Sequence, residues 1–167
     1  MEKELSAFLK FAYEKGKVRN VTEAFDEYPP NEEWHKGKIE NILCEETLEY
    51  SIYEIGDIVF VKKYYYEDGT TRLNHLFVIV EQNYLAVPIE NFGMLISSKL
   101  DKLKFDTNKL LEKNKNNRLN KDSIIKTDVI YKIYNDQILF KIGKVDKQKV
   151  EEYKKCFLKN ANKQKDM

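Results

Sequence analysis

Two short polar clusters contain the side chains best suited to chemistry: Arg72, Asn74, His75, Ser97, Ser98 and Lys99. An imidazole titrates near neutral pH and can act as a general acid or base. A guanidinium fork binds two phosphate oxygens, and a hydroxyl can hydrogen-bond to another. These groups would suit metal-independent cleavage of RNA, in which the ribose 2′-OH attacks the adjacent phosphate.

A plainer interpretation of the same residues stays open. In it, His75 is a half-buried sheet residue, Arg72 is ordinary surface charge, and Ser97 and Ser98 simply end a strand. Other catalytic signatures are missing from the sequence: its six glycines form no phosphate-binding loop, no G-x-S-x-G motif occurs, and two Cys and two His have unrelated spacings. We therefore expect no metal site and no cofactor.

The elements that must position these clusters are short β-strands. Between Ile55 and Ser98 the chain is rich in branched and aromatic residues, which favour half-buried pleated surfaces. Asp68-Gly69 separates the first two apolar runs and is a strong hairpin signal. The pattern predicts strands at about 57–64, 74–81, 83–89, 92–98, 122–133 and 137–141.

Helical periodicity is confined to the two ends of the chain. Leu5, Phe8 and Leu9 begin an apolar face that predicts a helix from Glu2 to Lys15. Asp146 is placed to cap a C-terminal helix. Two further short helices are expected, from Asn20 or Thr22 to Phe25 and from Glu32 to about Cys44. Strands with hairpin turns and terminal helices indicate an α+β protein built on a small antiparallel barrel.

Charge is distributed unevenly. Residues 1–56 hold 7 Lys and Arg against 13 Asp and Glu, whereas residues 57–167 hold 22 against 15. We interpret the Lys- and Asn-rich segment 100–120 as an excursion of the chain, a loop that leaves the sheet and contains one helical turn. We interpret residues 1–50 as an acidic helical N-terminal extension and residues 51–167 as the barrel domain. The extension either covers the basic surface in cis, docks a partner, or completes the core.

Five segments carry a family resemblance: IGDIVFV, NHLFVIV, GMLISSK, DSIIKTDVIYKI and KIGKVDKQKVEEYKKCF. In this order and spacing they resemble the MazF/PemK-like toxin family over about residues 55–158. The resemblance implies an SH3-like barrel with a C-terminal helix. It also implies metal-independent endoribonuclease activity on single-stranded RNA by a homodimer, and an antitoxin protein as its partner.

The resemblance also implies site residues. Arg72 would stabilise transition-state charge, His75 would serve as acid or base, and Ser97 and Ser98 would contact the phosphate. The family usually has an Arg-Pro pair where this chain reads Asn74-His75-Leu76, and a Thr-Ser pair where it has two serines. Either His75 and Arg72 replace the usual Arg, or cleavage is lost and the protein only binds RNA or another protein. A purely structural or regulatory role is a third alternative.

RNA contacts are predicted along the same surface, at Lys62, Tyr64, Tyr66, Asn74, Lys99 and Lys102. Lysines would neutralise phosphates, and the tyrosines either stack on unpaired bases or alternate between strand faces. The N-terminus lacks the apolar core of a secretory signal, and no apolar run approaches bilayer length. We therefore expect a cytoplasmic protein with no membrane partner.

Overall fold

The computed structural model of the protein describes residues 6–21, 53–62 and 74–165. Two α-helices and seven strands make up an α+β fold, with 3₁₀ turns at Leu100–Lys104 and Asn135–Gln137. In chain order the elements are α1 (Ala7–Glu14), β1 (Val18–Asn20), β2 (Asp57–Lys62), β3 (Asn74–Asn83), β4 (Glu90–Ser97), β5 (Asn108–Leu111), β6 (Ser123–Tyr134), β7 (Ile138–Lys144) and α2 (Lys147–Lys165).

The strands form one sheet in the order β1-β6-β4-β3-β2-β7, and β5 adds to β6 beside β1. All neighbours are antiparallel except β1 and β6. No ladder within the described residues joins β7 to β1. The seven-stranded α+β architecture agrees with the predicted class, and closure of the sheet into an SH3-like barrel stays a prediction.

Most predicted elements are confirmed within the described residues, with shifted ends. The predicted strand at 83–89 is wrong, because β3 continues to Asn83 and the chain then turns before β4 begins at Glu90. The Asn83 side chain accepts a hydrogen bond from the Leu85 N–H, and Pro88 has no N–H to give to a ladder. The apolar run Leu85–Val87 is therefore an exposed turn, in which Val87 is 97% exposed.

The sequence pattern missed two strands, β1 and β5, which both pair with β6. Each is four residues or fewer, too short for alternation to be visible. Asn20, considered as a helix cap, ends β1 instead. The helix expected from Glu32 to Cys44 and the hairpin turn at Asp68-Gly69 lie outside the described residues.

Alternating side chains divide the buried residues of the sheet between two clusters, one on each face. Val78, Phe92 and Ile130 lie on the face that α1 and α2 cover, and Phe157 of α2 packs into it. Burial of an aromatic side chain such as Phe157 contributes about 2–3 kcal/mol. The opposite face forms a second cluster of buried residues: Val21, Tyr53, Val59, Val61, Phe77, Ile79, Leu95, Val129, Tyr131, Ile133 and Ile138. Both faces of the central strands are therefore buried.

Residues 6–21 pack against the same sheet as the rest of the chain. Ser6 caps α1 by accepting a hydrogen bond from the Leu9 N–H at 3.2 Å. Leu9 is fully buried in the helix-covered cluster, and the Phe8 and Phe157 rings lie 5.4 Å apart. The described part of the N-terminal segment thus contributes to the core, whereas residues 22–50 lie outside the description. No described helix combines the length and apolarity needed to cross a bilayer.

A buried carboxylate ties the start of β2 to the end of β7. Asp57 is fully buried and accepts a hydrogen bond from the Glu54 N–H at 2.8 Å. Its carboxylate also lies 3.8 Å from the Lys144 ammonium. Lys144 pairs with Glu54 at 3.1 Å, and this hydrogen bond raises the pKa of the lysine above its ordinary value. These contacts of Asp57 hold the start of β2, the strand whose other end pairs with His75 of β3.

The predicted excursion at 100–120 is ordered by its own asparagines. The Asn114 and Asn117 side chains accept hydrogen bonds from each other's backbone N–H, and Asn117 also donates to the Glu112 carbonyl at 2.8 Å. The loop then packs on β7, where a Cβ at Gly143 would lie 2.2 Å from the Asn117 carbonyl oxygen. Only glycine permits this approach.

We expect Gly143→Ala to destabilise the protein by about 3 kcal/mol, because the added methyl meets rigid backbone on the adjacent loop. The matched control is Gly16→Ala. Gly16 has φ +68° but no atom within 4 Å of an added Cβ, so about 1 kcal/mol of backbone strain is expected. Urea unfolding of the two variants measures the difference. Equal destabilisation would show that the loop does not pack on β7 in this way.

Candidate functional site

The predicted site residues divide into those that the structure describes and those that it does not. Arg72, Tyr64 and Tyr66 lie outside the described residues. Lys62 and Asn74 are cross-strand partners at the end of the β2–β3 ladder. The remaining residues follow one another at the same end of the sheet: His75 in β3, Ser97 at the end of β4, and then Ser98, Lys99 and Lys102.

Strand register brings His75 and Ser97 together. The antiparallel β3–β4 ladder ends at the pair Leu76 and Ile96, so His75 and Ser97 are the next residue of each strand beyond that pair. Phe77 and Leu95 are paired two positions further along, and alternate residues of a strand share a face, so His75 and Ser97 point to the same side of the sheet. The two polar clusters, which are separated in sequence, therefore meet across neighbouring strands.

The His75 side chain is held by its neighbours. It is 5% exposed and lies opposite Val61 of β2. Its ring meets the Phe77 ring edge-on, with centroids 6.3 Å apart and an interplanar angle of 79°. Packing of this kind fixes the orientation of an imidazole, which a general acid or base requires. It also leaves only a small part of the ring open to a substrate.

Ser97 shapes the chain that leaves β4. Its hydroxyl oxygen accepts a hydrogen bond from the Lys99 N–H at 3.2 Å, a local turn typical of serine. The hydroxyl proton is still available for donation. Ser98 is half-buried and Lys99 is exposed, so the turn delivers a cation to the surface directly beside the His75–Ser97 pair.

The 3₁₀ turn Leu100–Lys104 continues this basic surface. Lys102 and Lys104 are exposed, and neither forms an ion pair with a carboxylate within the described residues. The Asn108 amide donates to the Lys102 carbonyl at 2.9 Å and anchors the turn to β5. Asn108 is buried, and the sequence analysis did not single it out. In the sequence, only the position of Asn108 shortly before the apolar pair Leu110-Leu111 could have indicated this anchoring role, and that signal is weak.

The described residues contain no group of three or more His, Cys, Asp or Glu side chains that could hold a metal ion. The site residues that the structure brings together are an imidazole, a hydroxyl and a lysine. These groups can exchange a proton, donate hydrogen bonds to an oxyanion, and neutralise its charge.

The comparisons with known proteins add no family to this geometry. No protein-family model matches the chain, and no curated protein sequence matches it significantly. The segments that carry the sequence resemblance lie in β2, β3, β4, β6, β7 and α2. Membership of the MazF/PemK-like family therefore stays a prediction from those sequence motifs.

We expect His75→Ala to lower the free energy of unfolding by about 2 kcal/mol, because it removes a buried ring that packs on Phe77. Ser97→Ala should cost about 1 kcal/mol or less, since it removes one hydrogen bond at a half-buried strand end. Thermal or urea unfolding measures both. If His75→Ala leaves the free energy of unfolding unchanged, the His75 ring of the wild type is exposed and does not pack on Phe77.

Proposed function

We propose that this protein is a metal-independent endoribonuclease of the MazF/PemK-like type, acting on single-stranded RNA. The observation that carries the proposal is that His75 and Ser97 lie next to each other, just beyond the last pair of the β3–β4 ladder, with Lys99 on the adjoining turn. Two sequence clusters that suit phosphodiester chemistry are thus neighbours in space. The order of the resembling segments along β2–β7 and α2 supports the same class.

The proposed reaction uses the ribose 2′-OH of the substrate as the nucleophile. The 2′-oxygen forms a bond to phosphorus, the bond to the 5′-oxygen of the next nucleotide breaks, and a 2′,3′-cyclic phosphate remains. His75 accepts the 2′-OH proton and returns a proton to the leaving 5′-oxygen, so that no net proton is gained or lost in the step. Ser97 and Ser98 donate hydrogen bonds to phosphate oxygens, and Arg72 neutralises the charge that develops there.

RNA backbone contacts are assigned to Lys62, Asn74, Lys99 and Lys102. Tyr64 and Tyr66 would stack on unpaired bases. By the same resemblance, the sheet belongs to an SH3-like barrel, and the protein works in the cytoplasm as the homodimeric toxin of a toxin–antitoxin pair, with an antitoxin protein as its partner.

One observation favours a second candidate, a non-catalytic module of the same type that binds RNA or protein. His75 is 5% exposed, so substrate reaches little of the ring. The chain also has Asn74-His75-Leu76 where the family usually has Arg-Pro. A buried imidazole at a strand end fits a packing role as well as a catalytic one.

Incubation of the protein with a long single-stranded RNA in EDTA separates the two candidates. We expect cleavage to persist in EDTA and to leave 2′,3′-cyclic phosphate ends. Ser97→Ala should slow cleavage, and His75→Gln, which keeps a polar side chain of similar reach, should slow it by about 100-fold or more, the typical contribution of a general acid or base.

Lys147→Ala is the matched control, because Lys147 is an exposed cation at the start of α2, which follows the end of the β2–β7 ladder opposite to the His75 end. Circular dichroism confirms that each variant is folded. Salt-sensitive RNA binding by the wild type without cleavage identifies the non-catalytic module. Absence of both binding and cleavage removes RNA as the ligand altogether.

A further inference from the structure

A groove beside the candidate site has features that the proposed reaction does not use. It lies between β5 and the middle of α2 and encloses a cavity of about 570 Å³. The Cys156 thiol of α2 lies 3.6 Å from the Asp106 carbonyl, just before β5. It also accepts a hydrogen bond from the Thr127 hydroxyl of β6 at 3.1 Å. We call this the β5–α2 groove. Its walls are held by strand and helix, so the groove is preformed.

The charged side chains that line the groove are mostly basic. Four lysines border it, Lys109, Lys149, Lys155 and Lys159, against the carboxylates of Asp106 and Glu152. All four lysines are exposed, and none forms an ion pair within the part of the chain that the structure describes. Four lysines against two carboxylates leave an excess of two positive charges, which favours an anionic ligand with more than one charge.

An exposed aromatic ring stands next to this groove. Phe105 precedes Asp106 and is 48% exposed, and the Lys104 ammonium lies 5.4 Å from the centre of its ring. Leu103 and Leu110 expose further apolar surface on either side. An open aromatic face beside cations is the combination that single-stranded nucleic acid uses, because bases stack while phosphates are neutralised.

The groove is close to the His75–Ser97 pair. Ser97 of β4 and Leu110 of β5 both pair with Ile124, from opposite sides of β6. Their Cα atoms are therefore two strand spacings apart, about 10 Å. Leu110 lines the groove, and Lys99 and Lys102 lie on the chain that connects the two places. His75 packs on the sheet face opposite to α2, so a single strand leaving the site would reach the groove around the β5 edge, past Lys99 and Lys102.

We propose that the β5–α2 groove and Phe105 hold the RNA strand beyond the bond that is cleaved. Phe105 stacks on an unpaired base, and Lys109, Lys149, Lys155 and Lys159 bind successive phosphates. This inference rests on the proposed ribonuclease function. It goes further by assigning a second RNA subsite, which makes affinity depend on the length of the RNA.

The test compares binding of two 2′-O-methyl uridine-only RNAs, about 20 and about 4 nucleotides long, to the full chain by fluorescence anisotropy. These RNAs lack the 2′-OH nucleophile and stay intact during the measurement. We expect Lys155→Glu/Lys159→Glu to weaken binding of the long RNA at least tenfold and to change binding of the short RNA little. The slope of log affinity against log salt should fall by about 1.4, because two phosphate contacts are lost. The control is Lys147→Glu/Lys115→Glu, which reverses two exposed charges outside the groove and should leave the difference between the two RNAs intact.

Phe105 is tested separately. Phe105→Leu keeps an apolar side chain and removes the stacking surface, so the long RNA should bind about fivefold more weakly or worse, whereas Phe105→Tyr should bind as the wild type does. Equal loss in both variants, or no loss in either, overturns the stacking role.

The outcomes distinguish this inference from the proposed function. If the groove variants bind the long RNA as tightly as their control while EDTA-resistant cleavage persists, the groove inference fails and the ribonuclease stands. If the groove variants lose affinity for the long RNA but the wild type never cleaves, the subsite stands and the ribonuclease fails. A polyglutamate peptide that binds as tightly as the long RNA, with the same dependence on Lys155 and Lys159, overturns RNA in favour of an acidic protein segment.

Discussion

The pairing of β6 on both of its edges is the constraint on which the rest of this structure depends. β4 occupies one edge along most of the strand, and the other edge is shared by β5 near Ser123 and by β1 near Ile130. Because β6 is mostly buried, each of these backbone ladders forms away from water, where an unpaired polar group is costly. The N-terminal segment and the Lys-rich segment are thereby both held to one strand.

This arrangement explains how a site can form from residues that are far apart in sequence. β4 delivers Ser97 to one side of Ile124 and β5 delivers Leu110 to the other, while β3 brings His75 alongside β4. The segment between β4 and β5 must therefore cross the end of β6, and its lysines become a surface beside the strand ends. The candidate site and the β5–α2 groove are consequences of a single crossing of the chain.

Packing at His75 sets two demands against each other. The contact with Phe77 holds the ring still, whereas burial limits its access to substrate. His75 lies near the start of β3. A ring in such a position can pack on a neighbouring strand and still have part of its edge beside a loop. Lys99 and Ser97, in contrast, lie in a local turn that depends on one side-chain hydrogen bond.

The amino-acid sequence was sufficient to predict the α+β class, the terminal helices and most of the long strands, because period-two and helical apolar patterns report directly on burial. It also indicated His75 and Ser97, from their chemistry alone. Tertiary contacts were needed to place these two residues next to each other, to make 84–89 a turn and to form β1 and β5, since short strands are stabilised by their neighbour β6 and leave little local pattern. The close approach at Gly143 and the joining of Lys109 to the lysines of α2 likewise depend on contacts between segments distant in sequence, which no local pattern encodes.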